Sequence, residues 1–264
     1  MLLLHKIQNK VYTPQYTQYR NKTGMDHDKD KEDMLLLHLQ TLPSRASSTR
    51  VPGRRRIEVY SECRCRIVFL YNKQSAWVEI PSMEVAHIMC WEIVIHSSEE
   101  SFAHFMGEDS KNVTNTFAAS CLTVACKFLQ KTDNIKLQSL RRGIPNQNMT
   151  HMEMAIMNAF DWCIAYTTVP TLMGLLHLSG CLENLKSEEM SCLDEIIVSV
   201  YHQIDFKDLE KRLKHPAAWA VACWCVLAQK YPTCGMQTEL LRTKLNIPEY
   251  TPMVEDAVHV LSHA

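Results

Sequence analysis

The chain has 264 residues, of which 46% are hydrophobic and 22% charged, so it can bury one large core or two of roughly 100 to 130 residues. Its 28 Lys and Arg residues nearly balance its 29 Asp and Glu residues, and this balance gives no electrostatic reason to expect nucleic acid or an anionic membrane as the main partner. Only 7 residues are Gly, which argues against glycine-rich phosphate loops and turn-dense β-sandwiches.

The sequence predicts neither a membrane span nor a secretory leader. A helix needs about 18 to 20 apolar residues to cross a bilayer, and no apolar run in the sequence approaches that length. The opening Met-Leu-Leu-Leu-His is shorter than the apolar centre of a signal peptide, and polar residues follow it directly.

The 11 cysteines do not show the spacing of a disulfide framework, and their number is odd. Two C-x-C pairs occur, but neither has the second pair that a structural zinc site needs. Most of the cysteines lie in apolar helical patterns, namely Cys121, Cys126, Cys163, Cys192, Cys223 and Cys225. We therefore predict reduced, buried thiols in an intracellular protein, with no metal site and no cofactor.

The elements predicted in chain order are an N-terminal arm and a series of helices. Residues 1–55 are rich in charge and in chain-breaking residues, which predicts a poorly ordered arm. From about residue 57 onward, apolar residues recur at helical spacing, and no run alternates as a strand would. Predicted helices cover 113–131 and 150–162, and others begin near Thr168, Ser187, Pro216 and Thr251, where N-capping residues or first-turn prolines stand.

Two of these helices, 113–131 and the one that begins at Pro216, have almost no polar face. Such a helix is stable in water only when other helices surround it. We therefore predict an all-α protein with two helical bundles in tandem after the arm.

Four segments resemble the cyclin family. Residues 118–130 (AASCLTVACKFLQ) are similar to the third helix of a cyclin box, and residues 152–162 (MEMAIMNAFDW) to the family's M-E-x-x-I-L-x-x-L-x-W helix. Residues 167–170 (TTVP) resemble the step into the second cyclin fold, and residues 215–222 (HPAAWAVA) that fold's P-S-x-x-A-x-A helix. The resemblance implies an N-terminal cyclin box over 56–166 and a second cyclin-like fold over 167–264.

The first two helices depart from the family pattern. Residues 65–70 (CRIVFL) lack the tryptophan of the first-helix signature, and residues 90–93 (CWEI) stand where the family has L-D-R-F. The acidic residue that usually follows the central lysine is absent after Lys127. The sequence therefore predicts a divergent cyclin.

The resemblance implies that Lys127 and Glu153 bind the partner. Cyclins are regulatory subunits that push a mobile helix of a cyclin-dependent protein kinase into its active position, and a Lys and a Glu from two neighbouring helices bind the kinase around that helix. Each residue also has a local alternative. Lys127 can extend its ammonium group to water from a buried helix, and Thr150 with Glu153 forms a T-x-x-E capping box.

The resemblance further implies a docking patch for Arg-x-Leu substrates or inhibitors at Arg66, Ile67, Phe69 and Leu70, with Arg64 as the other possible register. The alternative is an ordinary amphipathic helix. Residues 54–56 (RRR) are either a nuclear-import fragment or a solvated linker.

We therefore expect a regulatory subunit without enzymatic activity that acts in cell-cycle control, in the nucleus or cytoplasm. No H-E-x-x-H, G-x-S-x-G, Walker or dinucleotide motif is present in the sequence. The alternatives are a transcription-associated cyclin, a cyclin-fold transcription factor, or a degenerate helical scaffold without a kinase partner.

Overall fold

A computed structural model of the chain describes residues 52–107, 110–130, 132–164, 166–178, 185–203, 206–234 and 250–263. These residues form helices, with no β-strand among them, which confirms the prediction of an all-α protein. The described residues up to Tyr166 belong to one compact unit and those from Thr167 onward to another. Most of the predicted arm lies outside the described residues, but its last two residues already belong to a helix that begins at Arg54.

Six α-helices make up the described part of the first unit. They are α1 (Arg54–Gln74), α2 (Ile80–Trp91), α3 (Glu99–Met106), α4 (Ser110–Leu129), α5 (Asn134–Leu140) and α6 (Asn146–Ala159), and a π-helical turn, Glu92–His96, extends α2. Helix α4 packs against each of the other five. Its residues from Phe117 to Cys126 are all buried, as expected for a helix without a polar face.

Arg56 joins the start of α1 to the segment between α2 and α3. Its guanidinium group donates to Val94 O at 2.8 Å and to Ser98 O at 3.1 Å, and it lies 3.1 Å from the Glu99 carboxylate. The same group stacks over the Phe102 ring at 4.4 Å. This side chain is therefore one physical tie among the first helices, although the sequence lacks the family's Asp-Arg pair.

Gln130, directly after α4, fixes the turn between α1 and α2. Its amide donates to Trp77 O at 2.8 Å and accepts from Ser82 Oγ at 2.8 Å and from the Glu79 backbone N–H at 3.3 Å. The side chain is buried, so these bonds satisfy polar groups that water does not reach.

Helix α6 begins four residues before the predicted start and ends three before the predicted end. It closes in a Schellman-type motif, in which Asp161 N–H donates to Asn158 O and Trp162 N–H to Met157 O. Asp161 and Trp162 have φ values of 48° and 59°, so the backbone turns left-handed where the apolar pattern still continues. A backbone in this region cannot extend the helix to residue 162.

Five α-helices make up the described part of the second unit. They are α7 (Val169–Leu178), α8 (Ser187–Gln203), α9 (Phe206–Lys214), α10 (Pro216–Lys230) and α11 (Tyr250–His263), and a 3₁₀ turn, Pro232–Cys234, follows α10. Helix α10 packs against the other four, and its Trp219 and Trp224 side chains are buried.

The starts of two of these helices test the predicted caps. Helix α7 begins at Val169, close to the predicted start, and Thr168 Oγ1 accepts from Thr171 N–H at 3.3 Å, so Thr168 caps it. Ser187 is the first residue inside α8, and the cap lies one residue earlier, where Lys186 N–H donates to Glu189 Oε2 at 2.7 Å. Glu189 therefore satisfies the helix start in place of Ser187.

Every described cysteine is a free thiol. Most are buried, but Cys65 and Cys163 are exposed, and Cys163 follows the left-handed turn after α6 instead of lying in a helix. None of the helices in the described part of the chain is both long and apolar enough to cross a bilayer.

Candidate functional site

Lys127 and Glu153 meet where α4 packs against α6. Lys127 lies in the last turn of α4 and Glu153 in the second turn of α6. Lys127 Nζ donates to Glu153 Oε2. The two residues that the sequence places on separate helices therefore form one ion pair.

Arg141 is the third member of this cluster. Its Nη2 atom donates to Glu153 Oε1 at 2.7 Å, so each oxygen of the carboxylate binds a different cation. The side chains of Glu153, Arg141 and Lys127 are 10%, 19% and 40% exposed. The cluster holds a buried carboxylate between two cations, and the more exposed cation is the lysine.

The start of α6 excludes the capping box as the role of Glu153. The helix begins at Asn146, after Pro145, so Thr150 lies inside the second turn. Thr150 Oγ1 donates to Asn146 O at 3.0 Å. The Glu153 carboxylate is accordingly directed to the two cations instead of to the N-terminus of its own helix.

Exposed apolar side chains accompany the cluster in the sequence. Phe128 and Leu129 follow Lys127, Met154 follows Glu153, and Ile135 lies on α5, which ends at the residue before Arg141. Ile135 is 80% exposed. These are four of the six large apolar side chains that are exposed among the described residues, and exposed apolar side chains are candidates for contact with a partner.

The predicted docking patch does not form a common surface. Ile67 and Leu70 are buried in the core of the first unit, whereas Phe69 is exposed and Arg66 partly exposed. The Arg66 guanidinium group stacks over the Phe69 ring at 5.2 Å. Because the aliphatic side chains that would contact a leucine are buried, the amphipathic-helix alternative describes this segment better.

Residues 54–56 form the first turn of α1, and the solvated-linker interpretation is therefore wrong. Arg54 pairs with Glu58 at 2.8 Å, and Arg55 donates to Gly107 O at 3.0 Å. Arg56 is buried. With one of its three cations buried in the fold, this run is not a freely accessible import signal.

No sequence pattern indicates a role for Arg141. It belongs to a basic pair after α5, and helical periodicity does not connect that turn to α6. The contact depends on how the segment between α5 and α6 folds back, which is a property of tertiary structure. Among the described residues, no group of three or more His, Cys, Asp or Glu side chains is placed to hold a metal ion.

Comparison with models of known protein families gave no match, and a search of curated proteins gave none either. The resemblance to cyclins consequently depends on the motifs quoted above.

Proposed function

We propose that this chain is a divergent, non-catalytic cyclin that binds and activates a cyclin-dependent protein kinase in the nucleus or cytoplasm. The observation that supports it is the cluster of Lys127, Arg141 and Glu153, which joins the last turn of α4, the end of α5 and the middle of α6. The resemblance to cyclins implies that a lysine and a glutamate from these two helices bind the kinase.

The charge arrangement suggests how the cluster receives a partner. Two cations surround one anion, so the cluster carries a formal charge of +1. Arg141 binds one oxygen of Glu153 by itself, and the carboxylate therefore stays neutralised when Lys127 turns outward. Lys127 is then free to donate to a carboxylate or to backbone carbonyl groups of the partner.

The apolar side chains supply the second part of the interaction. Phe128 and Met154 extend from the same two helices as the ion pair and are about half exposed. A partner helix with an apolar face and an acidic or carbonyl-bearing end fits both features. In the proposed complex this is the kinase's mobile helix, and its displacement places the catalytic Lys–Glu pair of the kinase.

One observation favours a second candidate, a helical scaffold without a kinase partner. Both oxygens of Glu153 already have cationic partners within the chain, and the side chain is almost fully covered. In this alternative the cluster only fastens α6 to α4 and α5, and Lys127 has no external partner.

Affinity purification of the full chain, followed by mass spectrometry and by titration with the kinase recovered, separates the two candidates. We expect a cyclin-dependent kinase, and we expect Lys127→Ala with Glu153→Ala to weaken binding by at least about 2 kcal/mol, or roughly 30-fold. The single variant Lys127→Ala preserves the Arg141–Glu153 bond, so it tests the contact without a buried unpaired charge.

Lys136→Ala is the matched control, because Lys136 is an exposed lysine of α5 whose ammonium group lies 3.9 Å from Asp133. If Lys127→Ala binds the kinase as tightly as the unsubstituted chain, the proposed contact of Lys127 is wrong. Recovery of no kinase at all favours the scaffold.

A further inference from the structure

Two exposed histidines lie side by side on the last helix. His259 and His263 are four residues apart on α11, so their side chains lie on the same face one turn apart. Their rings are stacked, with centroids 4.4 Å apart and planes inclined by 25°. This pair is separate from the cluster around Glu153 and takes no part in the proposed function.

One ring nitrogen of the pair is already oriented by the backbone. His263 Nδ1 lies 2.7 Å from His259 O. A carbonyl oxygen only accepts, so Nδ1 carries the hydrogen, and Nε2 of the neutral ring keeps its lone pair. Histidines that bind metals usually donate their other ring N–H to a carbonyl or carboxylate in this way.

We propose that His259 and His263 form a two-ligand binding site for a divalent transition-metal ion such as Cu²⁺, Ni²⁺ or Zn²⁺. Imidazole nitrogen is a ligand that these ions prefer, whereas Mg²⁺ and Ca²⁺ take oxygen ligands. The remaining coordination positions are left to water or to a donor from another molecule.

Chelation requires one nitrogen of each ring to point at the same ion. Two nitrogens bound to tetrahedral zinc at about 2.0 to 2.1 Å lie about 3.3 Å apart. The lone pair of a ring nitrogen lies in the plane of its ring, so the two stacked rings, whose centroids are 4.4 Å apart, must rotate before both can bind one ion. Both side chains are exposed, so rotation about their side-chain bonds can bring this about while the helix stays in place.

The surrounding charges favour a cation. Exposed Glu255 precedes His259 by one turn on the same face. The pair also lies in the last turns of α11, where the helix dipole presents its negative end. Neighbouring Asp256 is paired with Lys211 of α9 and is therefore less available to the ion.

Calorimetric titration of the full, untagged chain with each metal salt alone tests the site. Two ligands provide about half the bonds of a four-ligand structural site, so we expect a Kd on the order of 1 to 100 µM for Zn²⁺ and tighter binding of Cu²⁺. MgCl₂ should give no binding at this site. Either His259→Asn or His263→Asn should weaken the site at least about tenfold, because a single imidazole remains.

His151→Asn is the control, since His151 is exposed on α6 and has no histidine one turn away. Circular dichroism checks that each variant folds. Electron paramagnetic resonance of bound Cu²⁺ should show two coordinating nitrogens in the unsubstituted chain and one in either variant. The proposal is overturned if a single substitution leaves metal affinity unchanged, or if the His151 variant loses the same site.

Discussion

Replacing Arg141 by Gln should destabilise the first unit more than replacing Lys127 by Gln. Both residues bind the carboxylate of Glu153, but their surroundings differ. The Arg141 side chain is 19% exposed and lies 2.7 Å from an oxygen that is itself largely covered, whereas the Lys127 side chain is 40% exposed.

These exposures set the expected magnitudes. Removal of one partner from a largely buried, charged hydrogen bond costs about 2 to 3 kcal/mol in the free energy of unfolding, because the remaining charge loses its compensation. An exposed ammonium group contributes at most about 1 kcal/mol, since water screens it. We therefore expect Arg141→Gln to cost about 2 to 3 kcal/mol and Lys127→Gln less than about 1 kcal/mol.

Urea unfolding of the full chain measures the difference as a change in midpoint at constant m-value. Arg142→Gln is the matched control, because Arg142 is the exposed neighbour of Arg141. In a Glu153→Gln background the effect of Arg141→Gln should shrink by about 2 kcal/mol, the coupling between the two groups. If Lys127→Gln costs as much free energy of unfolding as Arg141→Gln, then Lys127 is needed to hold the carboxylate and is not available to a partner.

Three further outcomes are expected. Burial raises the pKa of Asp194 from 3.8 to about 6, so the folded state should lose stability as pH rises from about 4 to about 6. In thermal unfolding, Asp194→Asn should therefore be more stable than the unsubstituted chain by about 2 to 3 kcal/mol at pH 7.5 and equally stable at pH 3.5. The control Glu195→Gln, which changes an exposed neighbour, should show no such difference between the two pH values. Arg56→Lys should lower the free energy of unfolding by about 2 kcal/mol in the same urea assay, because lysine cannot bind two carbonyl groups and stack on a ring as a guanidinium group does. The control Arg54→Lys, at an exposed position, should change that free energy by no more than about 0.5 kcal/mol. Gln130→Ala should lower the free energy of unfolding by about 2 to 3 kcal/mol. It should also speed hydrogen exchange of the Glu79 backbone amide, because that N–H loses the Gln130 side chain as its acceptor. Unchanged exchange at Glu79 would contradict the assigned bond.

The helical content could be predicted because it depends on local pattern. Helices α4 and α10 consist of apolar residues on almost every side, and such a helix must be enclosed by others. The predicted range of α4 agrees with the structure within three residues at either end, and α10 begins at the predicted Pro216. The predicted start of α6 at residue 150 is wrong, because Thr150 and Glu153 match a local capping pattern while the carboxylate is bound by cations distant in the sequence.

The ion-pair cluster could be predicted only in part from the sequence. Motifs single out Lys127 and Glu153 as candidate residues, but Arg141 belongs to no pattern that spacing reveals. The four residues of the docking patch illustrate the opposite limitation. Helical spacing placed them on one helix, but which side of α1 faces α4 is decided by packing, and that packing buries Ile67 and Leu70.

The most direct test of the central claim is the phosphorylation rate of purified, monomeric cyclin-dependent kinases when the full chain is added. We predict that the chain raises the rate of at least one of them, that Lys127→Ala shifts the half-maximal concentration to higher values, and that Lys136→Ala does not. Two results would show that the cluster of Lys127, Arg141 and Glu153 is not the kinase-binding site. One is that no kinase is activated at concentrations of the chain at which known regulatory subunits saturate their kinases, and the other is that Lys127→Ala activates as well as the unsubstituted chain.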